Sequence, residues 1–510
     1  MDLNSFITNP IDFISNLANV SDIKPDFGLN NAINEAVAND PSLLEKIPLV
    51  STLGHLQLYP PNTLIRLRCS FLMYHDEEYL PLRVFFNNKY YTPWTFSGEF
   101  PAGTDLGDER NMIQRLKILV SSIPCLTHWL RDIESPDPIS PSSHCTIDSN
   151  QVVSTDDLFE ESFQAIVSFA FEIPEKPSIP FDLIAVMHDV FPLAAEMRAT
   201  SADAFISSIP SFVAFAAFPV KSLFSPPLPS PGPTLLDIRS RIISIFNNIF
   251  EPFVSELLLL YLIGRVSSRD PQSQQPIGLF SLNLFGVSPA AAAAITQLLS
   301  FVCTSINIIH INRQSLNQKP LSPGANGSEY NTTQLSAVTE TRLIIDETQM
   351  SDGNLNQNGL SNIQILQDLI NFQHIPMLFE VYTQTIEVSF PTLVLSTHKS
   401  LLKTNISIPI GEIKTFSFEL NKVEMDIIRS YIENVRFNEF GIKSEEAENF
   451  VKSQMQLLLS SNAKVTQDEL NLLMNINRLN SMSIGVNDFN PQVWERTAQL
   501  FMKIMEFKAN

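Results

Sequence analysis

Short apolar runs alternate with longer amphipathic stretches in the second half of this chain. Four apolar runs are typical of strands that are buried on both faces: residues 279–285, 305–311, 343–345 and 392–396. Four stretches before and between them have the apolar spacing of helices: residues 235–250, 252–266, 290–302 and 360–372. Strands that alternate with helices in this way predict βαβ units and a mostly parallel sheet.

One polar segment and a helical end complete this half. Residues 314–336 are rich in Asn, Ser, Gly and Pro, which predicts a loop or insertion. Thr466 and Glu469 have the spacing of a capping box, the signature of a helix start. Another predicted helix has its apolar residues on one face: Ile428, Ile432 and Val435. Residues 411–510 are therefore predicted to be helical.

The first half of the chain has strand-like patterns instead. Residues 64–69 place apolar side chains at every second position, as in a half-buried strand. Three further β-rich stretches follow, two of them aromatic: residues 82–86, 90–96 and 163–171. We therefore predict a small β domain or barrel after a short helical start.

Two segments have the composition of connections. Residues 132–157 are rich in Pro, Ser and Asp and poor in large apolar groups, so they bury too little surface to offset their ordering entropy. We predict a flexible linker there. Residues 225–233 contain five prolines and predict an extended connection, with a docking site for an aromatic groove as the alternative.

Length and charge narrow the class of protein. With 510 residues the chain is expected to form two to four domains, and 44% apolar residues can build sizeable cores. The formal net charge is −21, and residues 1–230 carry 28 acidic and 13 basic residues, or −15 of it. A field of that sign repels phosphates, which argues against direct nucleic-acid binding by this half.

Cysteine spacing and hydropathy exclude two further classes. The four cysteines lie far apart without a CxxC pair, so neither a zinc ribbon nor a disulfide framework is indicated: Cys69, Cys125, Cys145 and Cys303. The most apolar stretch, residues 257–263, is much shorter than the roughly 20 residues that a membrane span needs. We therefore expect no membrane association and no metal site.

The turn after the first predicted strand of the parallel sheet is where a phosphate-binding loop would lie. Such a loop needs several glycines, a lysine for the outer phosphates and a Ser or Thr for magnesium. The sequence Phe-Gly-Val-Ser-Pro at residues 285–289 has one glycine and no lysine, and Pro289 lacks an amide donor. This turn is not expected to bind a triphosphate, so no cofactor is predicted.

A second ATPase-like pattern follows the third strand. Residues 343–347 read Leu-Ile-Ile-Asp-Glu, the form in which a strand delivers an Asp to a metal and a Glu to the attacking water. Without a phosphate loop, no nucleotide would be bound on which Asp346 and Glu347 could act. The alternative interpretation is that both carboxylates simply end a buried strand in solvent.

Other catalytic and binding patterns are weaker. The eight histidines show neither HExxH nor HxH spacing, and there is no G-x-S-x-G nucleophile elbow. Basic and aromatic residues in the β domain offer a single-strand nucleic-acid face: Arg66, Arg68, Phe71 and Arg83. The favoured alternative is that these arginines pair with the acidic run at residues 76–78. No catalytic, cofactor-binding or metal-binding residue is therefore assigned.

Several blocks of sequence resemble the mini-chromosome maintenance (MCM) complex-binding protein family. The strongest is Leu343-Ile344-Ile345-Asp346-Glu347-Thr348, with Gly353, Leu355 and Gly359 downstream. Supporting blocks lie on both sides of it: residues 61–69, 256–263, 269–270, 276–278, 282–284, 466–470 and 478–479. The blocks occur in the family's order and extend over most of the chain.

The resemblance implies a multidomain α/β protein with an OB-like β domain, followed by a degenerate AAA+-like domain and a helical lid. The expected domains are a helical segment 1–50, an OB-like domain 51–131, a linker 132–157, a β-rich segment 158–233, an AAA+-like domain 234–410 and a lid 411–510. It also implies a nuclear protein that binds MCM helicase subunits and has no enzymatic activity.

The leading hypothesis from the sequence is a non-catalytic binding protein of MCM subunits, acting in helicase assembly, escort or unloading and in sister-chromatid cohesion. Its chromatin association is expected to be indirect. One alternative is an active AAA+-type ATPase with an unusual nucleotide site that uses Glu347. The other is a single-strand nucleic-acid binding module that acts through Arg66 and Arg68. The sequence contains no obvious basic nuclear-import run.

Overall fold

The computed structural model describes most of the chain. The described residues are 3–17, 26–86, 89–92, 112–135, 144–148, 162–171, 180–187, 209–226, 232–326, 329–336, 340–411, 413, 416–461 and 465–509. The predicted strand at 90–96, the predicted linker 132–157 and the proline run at 225–233 lie partly outside these residues. Structural statements below concern the described residues.

The helices, in chain order, are α1 Leu3–Thr8, α2 Pro10–Leu17, α3 Leu29–Asn39, α4 Leu53–Gln57, α5 His128–Glu134, α6 Leu235–Phe246, α7 Pro252–Ile263, α8 Pro289–Val302, α9 Arg313–Gln318, α10 Gln357–Phe372, α11 Lys422–Val435, α12 Glu445–Ser461, α13 Gln467–Ser483 and α14 Pro491–Ala509. None of the helices in the described ranges combines the length and the apolar character that crossing a bilayer requires.

The strands, in chain order, are β1 Leu49–Val50, β2 Leu64–Pro81, β3 Val84–Phe86, β4 Lys89–Tyr91, β5 Met112–Ser122, β6 His144–Asp148, β7 Gln164–Phe169, β8 Phe181–Met187, β9 Ser211–Pro219, β10 Ser268–Arg269, β11 Pro276–Ile277, β12 Leu282–Phe285, β13 Ile306–His310, β14 Gly324–Asn326, β15 Glu329–Asn331, β16 Arg342–Asp346, β17 His374–Phe379, β18 Thr383–Glu387, β19 Thr392–Ser396, β20 Ile406–Pro409 and β21 Ser417–Asn421. With helices they form a mixed α/β protein with several sheets, as predicted.

Five strands of the N-terminal half close into a barrel. The order is β2-β5-β7-β9-β8, and β8 pairs back onto the first half of β2, which completes the ring. Only the β7–β9 pair is parallel. Alternate inward side chains fill the interior, among them Leu67, Val120 and Leu183, all fully buried. Strands on both sides of the predicted linker thus belong to one barrel.

The C-terminal half is built on a five-stranded parallel sheet of order β13-β16-β19-β12-β20. Both of its faces are covered. Leu393 and Leu395 of β19 face a core that includes α6, α7 and α8, whereas Val394 between them faces α9 and α10. Burial on both sides explains why these strands read as continuous apolar runs. The helix–strand alternation predicted here is confirmed.

Capping side chains fix several helix starts. Thr234 with Asp237, and Thr466 with Glu469, form capping boxes at α6 and α13. The box at α13 was predicted from the sequence. Ile428, Ile432 and Val435 of α11 are all buried, as their spacing indicated.

Three segments differ from their predicted character, one of them residues 417–421, which form β21 within the predicted helical end. Residues 314–336 contain α9 and the strands β14 and β15 instead of a plain loop, because β14 finds its partner in β17, about fifty positions further along the chain. Residues 144–148, inside the predicted linker, form β6 and pair with β21. Distant pairing of this kind leaves no periodic signal in a short polar segment. The domain boundaries themselves stay predictions.

Candidate functional site

The loop that follows β12 is closed by the protein's own hydrogen bonds. The Val287 N–H donates to the Ser396 carbonyl at 3.0 Å, and the Ser288 hydroxyl accepts from the Ala291 N–H at 3.2 Å as the N-cap of α8. Gly286 has φ +85°, which favours glycine, and a Cβ there would lie 3.0 Å from the Ile410 carbonyl oxygen. The loop is therefore a tight turn whose hydroxyl is already engaged in capping.

Asp346 lies at the carboxyl end of β16 and is nearly buried, with 7% of its surface exposed. Its carboxylate accepts a hydrogen bond from the Thr348 N–H at 2.9 Å and pairs with His310 Nδ1 at 3.0 Å. Burial acts to raise the pKa of Asp346, but the hydrogen bonds from His310 and Thr348 outweigh it, so the pKa lies below its usual value.

Glu347 is also buried, with 4% of its surface exposed. One carboxylate oxygen accepts from the Ser400 hydroxyl at 2.8 Å, and the other from the Leu401 N–H at 3.3 Å. Desolvation raises the pKa of Glu347 above its usual value in spite of these bonds. The expectation that both carboxylates end the strand in solvent is wrong, because the loop after β19 covers Glu347.

A row of polar side chains crosses the centre of the parallel sheet. Asn283 of β12 accepts a hydrogen bond from the Ser396 hydroxyl of β19 at 3.1 Å. It donates its amide to the Ser407 hydroxyl of β20 at 3.0 Å. Both sides of this buried amide are thus satisfied within the protein. The row joins three neighbouring strands and fixes their register, which is a structural role.

Metal ligation finds no support in the described ranges. No group of three His, Cys, Asp or Glu side chains there could hold an ion. Cys69, Cys125 and Cys303 are buried free thiols. Burial raises the pKa of Cys303 to about 11 and that of Cys125 to about 12, so neither is a ready thiolate.

The predicted partners of Arg66 and Arg68 were wrong. Arg68 pairs with Asp182 of β8, at 2.8 Å from Nε to Oδ1, and with Glu134 of α5. Arg66 Nε lies 3.7 Å from the same Asp182. The acidic run at residues 76–78 lies further along β2, where that strand has left β8 and pairs with β5 alone. Arg66 and Arg68 are therefore mostly buried and are not available to bind phosphates.

The acidic run lies on the part of β2 that pairs with β5. Asp76 lies opposite Lys117 and Glu78 opposite Arg115 in the β2–β5 register. Glu77, between them, accepts hydrogen bonds from Gln114 and from the Tyr79 hydroxyl. Glu77 is thus engaged within the protein.

Trp129 of α5 lies at the junction of the barrel with the parallel α/β half. Trp129 Nε1 donates to the carbonyls of Ser300 and Cys303, at 3.1 and 3.0 Å. The Arg429 guanidinium lies 3.8 Å from the centroid of the Trp129 ring, and Phe224 packs edge-on against that ring at 5.0 Å. No local pattern in the sequence links residues so far apart, so this contact was not predicted.

A buried ion pair lies beside the junction. Arg342 Nη1 is 3.0 Å from Glu433 Oε2, and that carboxylate oxygen also accepts from the Thr304 hydroxyl at 2.7 Å. A cavity of about 20 Å³ between Lys221, Thr341 and Glu433 has room for one water and none for a nucleotide. The sequence signal for this pair is an arginine directly before the apolar run of β16.

Fold and contacts together define a multidomain α/β protein. A closed β-barrel is joined to a parallel sheet whose carboxyl edge carries two buried carboxylates beside a tight turn. The chain belongs to the mini-chromosome maintenance replisome factor family, whose profile matches residues 219–506, more than half of the sequence. The resemblance drawn from the sequence blocks is thereby confirmed, although block 61–69 lies outside the matched residues.

Curated relatives agree with this membership. A mini-chromosome maintenance complex-binding protein of Drosophila melanogaster is 27% identical over 272 residues, 50% of this chain and 44% of the relative. A UPF0616 protein of Schizosaccharomyces pombe is 26% identical over 263 residues, 50% of this chain and 51% of the relative. The Danio rerio complex-binding protein is 24% identical over 284 residues, 52% and 44%. The matches span about half the length of these relatives.

Proposed function

We propose that this protein binds subunits of the MCM complex and does so without hydrolysing ATP. Support for the binding comes from its family and from relatives named as MCM complex-binding proteins. The observation that carries the second part is the turn at residues 285–289, where Ser288 caps α8 and Pro289 supplies no amide. A nucleotide would find neither a lysine nor a free hydroxyl there.

An AAA+-like assignment of the parallel sheet is part of this proposal. P-loop ATPases carry their phosphate loop between a strand of a parallel sheet and the helix behind it. Here β12 lies inside the sheet between β19 and β20 and is followed by the turn and α8. Asp346 and Glu347 end a strand of the same sheet, as the metal-binding and water-orienting carboxylates of such enzymes do. This chain therefore has the strand, turn, helix and carboxylates at the corresponding positions, but it lacks a phosphate-binding loop.

An OB-like assignment of the barrel is supported by its strand number and closure. OB-folds are five-stranded Greek-key barrels. The barrel here has five strands, and β9 lies between β7 and β8, so the order departs from a simple meander. Two of the three arginines predicted for its nucleic-acid face, Arg66 and Arg68, are paired with Asp182 and Glu134. Binding of a protein partner is therefore favoured over binding of nucleic acid.

The same proposal extends to the cellular role that the resemblance implies. A protein with a subunit-like body and no hydrolysis cycle can hold unassembled MCM subunits, or replace one of them, without being driven off by ATP turnover. We therefore propose nuclear action in the assembly, escort or unloading of the helicase, with a part in cohesion. Chromatin association would then be indirect, through the bound subunits.

Co-purification tests the binding proposal. The full chain would be immobilised and offered each purified MCM subunit in turn, with an unrelated acidic protein as the control for charge. Retention of at least one subunit at physiological salt supports the proposal, and retention of none overturns it.

Calorimetry tests the absence of a nucleotide site. Titration of magnesium-ATP into the full chain should give no binding heat, and Glu347→Gln should leave any background phosphate release unchanged. Saturable heat, or release that is lost in Glu347→Gln, would instead favour an active ATPase.

A further inference from the structure

A β-hairpin with an apolar tip projects from the small sheet β15-β14-β17-β18. Its two strands, β17 and β18, are joined through Glu380 to Tyr382. Three apolar side chains at or beside the tip are largely exposed: Leu378 at 40%, Val381 at 90% and Tyr382 at 56%. Single exposed apolar residues are ordinary, whereas Val381 and Tyr382 are adjacent on one tight turn, where water solvates them poorly.

The tip is held in one shape by the residues around it. The Phe379 and Tyr382 rings stack at 4.5 Å with 13° between their planes. The Phe379 N–H donates to the Tyr382 carbonyl at 2.9 Å, which closes the turn. Ile375 and Met377, lower on β17, are 3% and 2% exposed and anchor the strand in the cores beneath. A tip fixed in advance loses little conformational entropy when it binds.

Arg269, which lies outside the hairpin, contacts its base. Arg269 of β10 donates from Nη2 to the Gln373 carbonyl at 2.8 Å, just before β17. Its Nε lies 3.3 Å from the Glu387 carboxylate at the end of β18. One side chain therefore contacts both ends of the hairpin. This arrangement fixes the direction in which the tip projects.

Charge identifies the kind of surface that the tip fits. Residues 374–387 contain two glutamates and neither Lys nor Arg. Glu380 is at the tip itself and is exposed, while Glu387 at the base is paired with Arg269. A phosphate backbone would be repelled by such a tip, whereas a pocket with a basic rim would attract it.

We propose that Val381 and Tyr382 form an anchor that inserts into an apolar pocket with a Lys- or Arg-lined rim on a protein partner. Glu380 would meet the rim. The inference rests on the proposed function, so the partner is taken to be an MCM subunit. Exposed, rigidly held Tyr side chains are the type of residue that dominates binding free energy in protein interfaces.

The path of the chain places the base of the hairpin at the opposite edge of the parallel sheet from the carboxylates described above. In a parallel sheet all strands end at one edge, and Asp346 ends β16 there. Helix α10 then carries the chain back towards the other edge before β17 begins, and β19 starts after β18. The tip is therefore expected to act independently of Glu347, and its variants need not disturb the buried carboxylates.

Binding assays with the full chain test the anchor. Val381→Ser combined with Tyr382→Ser should weaken retention of the MCM subunit by at least about tenfold, the size of effect that marks an interface hot spot. Leu360→Ser is the matched control, because Leu360 is an apolar side chain with 57% exposure on α10. Thermal unfolding of both variants should match the wild type, since the altered side chains are exposed.

Charge reversal supplies a second variant. Glu380→Lys should also weaken binding, and the difference from the wild type should shrink at high salt, where charges are screened. Wild-type retention together with unchanged retention of Val381→Ser/Tyr382→Ser would overturn the anchor and leave the proposed function standing. Failure of the wild type to bind any subunit would overturn the proposed function instead.

A DNA-binding assay tests the alternative that the hairpin binds nucleic acid instead of a protein. Fluorescently labelled single-stranded DNA at low salt should show no binding that depends on the hairpin. A loss of DNA binding in Val381→Ser/Tyr382→Ser, with subunit retention unchanged, would contradict the proposed partner.

Discussion

Arg342 and Glu433 form an ion pair that is almost completely removed from solvent, with 0% and 5% of their side chains exposed. The pair joins β16 of the parallel sheet to α11 of the C-terminal helices. Burial by itself would raise the pKa of Glu433, but the charges of Arg342 and Arg436 outweigh it and hold the pKa below its usual value. Arg342 also donates from Nε to the Leu262 carbonyl at 3.2 Å.

Removing one partner of this pair should be strongly destabilising. Arg342→Met keeps most of the buried volume but removes the principal partner of Glu433, and broken buried pairs cost roughly 3–5 kcal/mol. The free energy of unfolding from urea titration measures the loss. Lys452→Ala is the control, because Lys452 and Glu448 form an exposed pair whose loss should cost about 0–1 kcal/mol. Equal stability of the two variants would contradict the structural role.

Glu347 should make the free energy of unfolding decrease as the pH rises above the ordinary pKa of a glutamate. Its pKa is raised by burial, so in the window just above its ordinary value of 4.5 the folded state binds more protons than the unfolded state. Stability therefore falls as pH rises through that window. Glu347→Gln removes this fall. Urea titrations of both proteins between pH 4 and pH 8 measure the difference, and parallel profiles would show that Glu347 does not titrate as described.

Asp346 should act in the opposite direction. Its pKa lies below the ordinary value of 3.8, so its interactions stabilise the fold above that pH and are lost as pH falls through the lower, folded-state value. Asp346→Asn should flatten the acid limb of the stability profile. Circular dichroism during acid titration checks this, and an acid limb as steep as that of the wild type would contradict it.

Arg68 should matter for barrel stability and not for nucleic-acid affinity. Arg68→Ala leaves Asp182 and Glu134, both 6% exposed, without their shared cation. Because uncompensated buried charges cost roughly 3–5 kcal/mol, thermal unfolding should occur at a clearly lower temperature. Arg241→Ala, which removes a surface pair with Glu424, is the comparison. A low-salt gel assay should give equal single-strand binding for all three proteins.

Trp129 should hold the barrel against the α/β half. Trp129→Ala removes the ring under Arg429 and the hydrogen bonds to Ser300 of α8 and to Cys303 just after it. Truncation of a packed Trp costs roughly 3–5 kcal/mol. Trp129→Phe keeps an aromatic ring and loses the N–H, so its loss should be smaller. Limited proteolysis should cut Trp129→Ala faster near residues 123–135. Wild-type proteolysis in both variants would show that this contact is dispensable.

Local patterns in the sequence determined much of the α/β half. The apolar run of β19 is buried at all five positions, and the alternation of such runs with helices predicted the parallel sheet. The capping box at Thr466 fixed the start of α13, because a helix start depends on side chains within one turn. The missing lysine and the proline at position 289 were visible for the same reason, since the chemistry of a phosphate loop is local.

Only the tertiary structure decided which residues meet. Asp182 lies more than a hundred positions from Arg68, and the sequence offered the nearer residues 76–78 as partners instead. Strand β6 was hidden in a polar segment because its partner β21 lies in the opposite half of the chain. The cover over Glu347 comes from Ser400 and Leu401 in the loop after another strand. Periodicity reports burial along one element, whereas partners and the exposed hairpin tip depend on how distant elements pack.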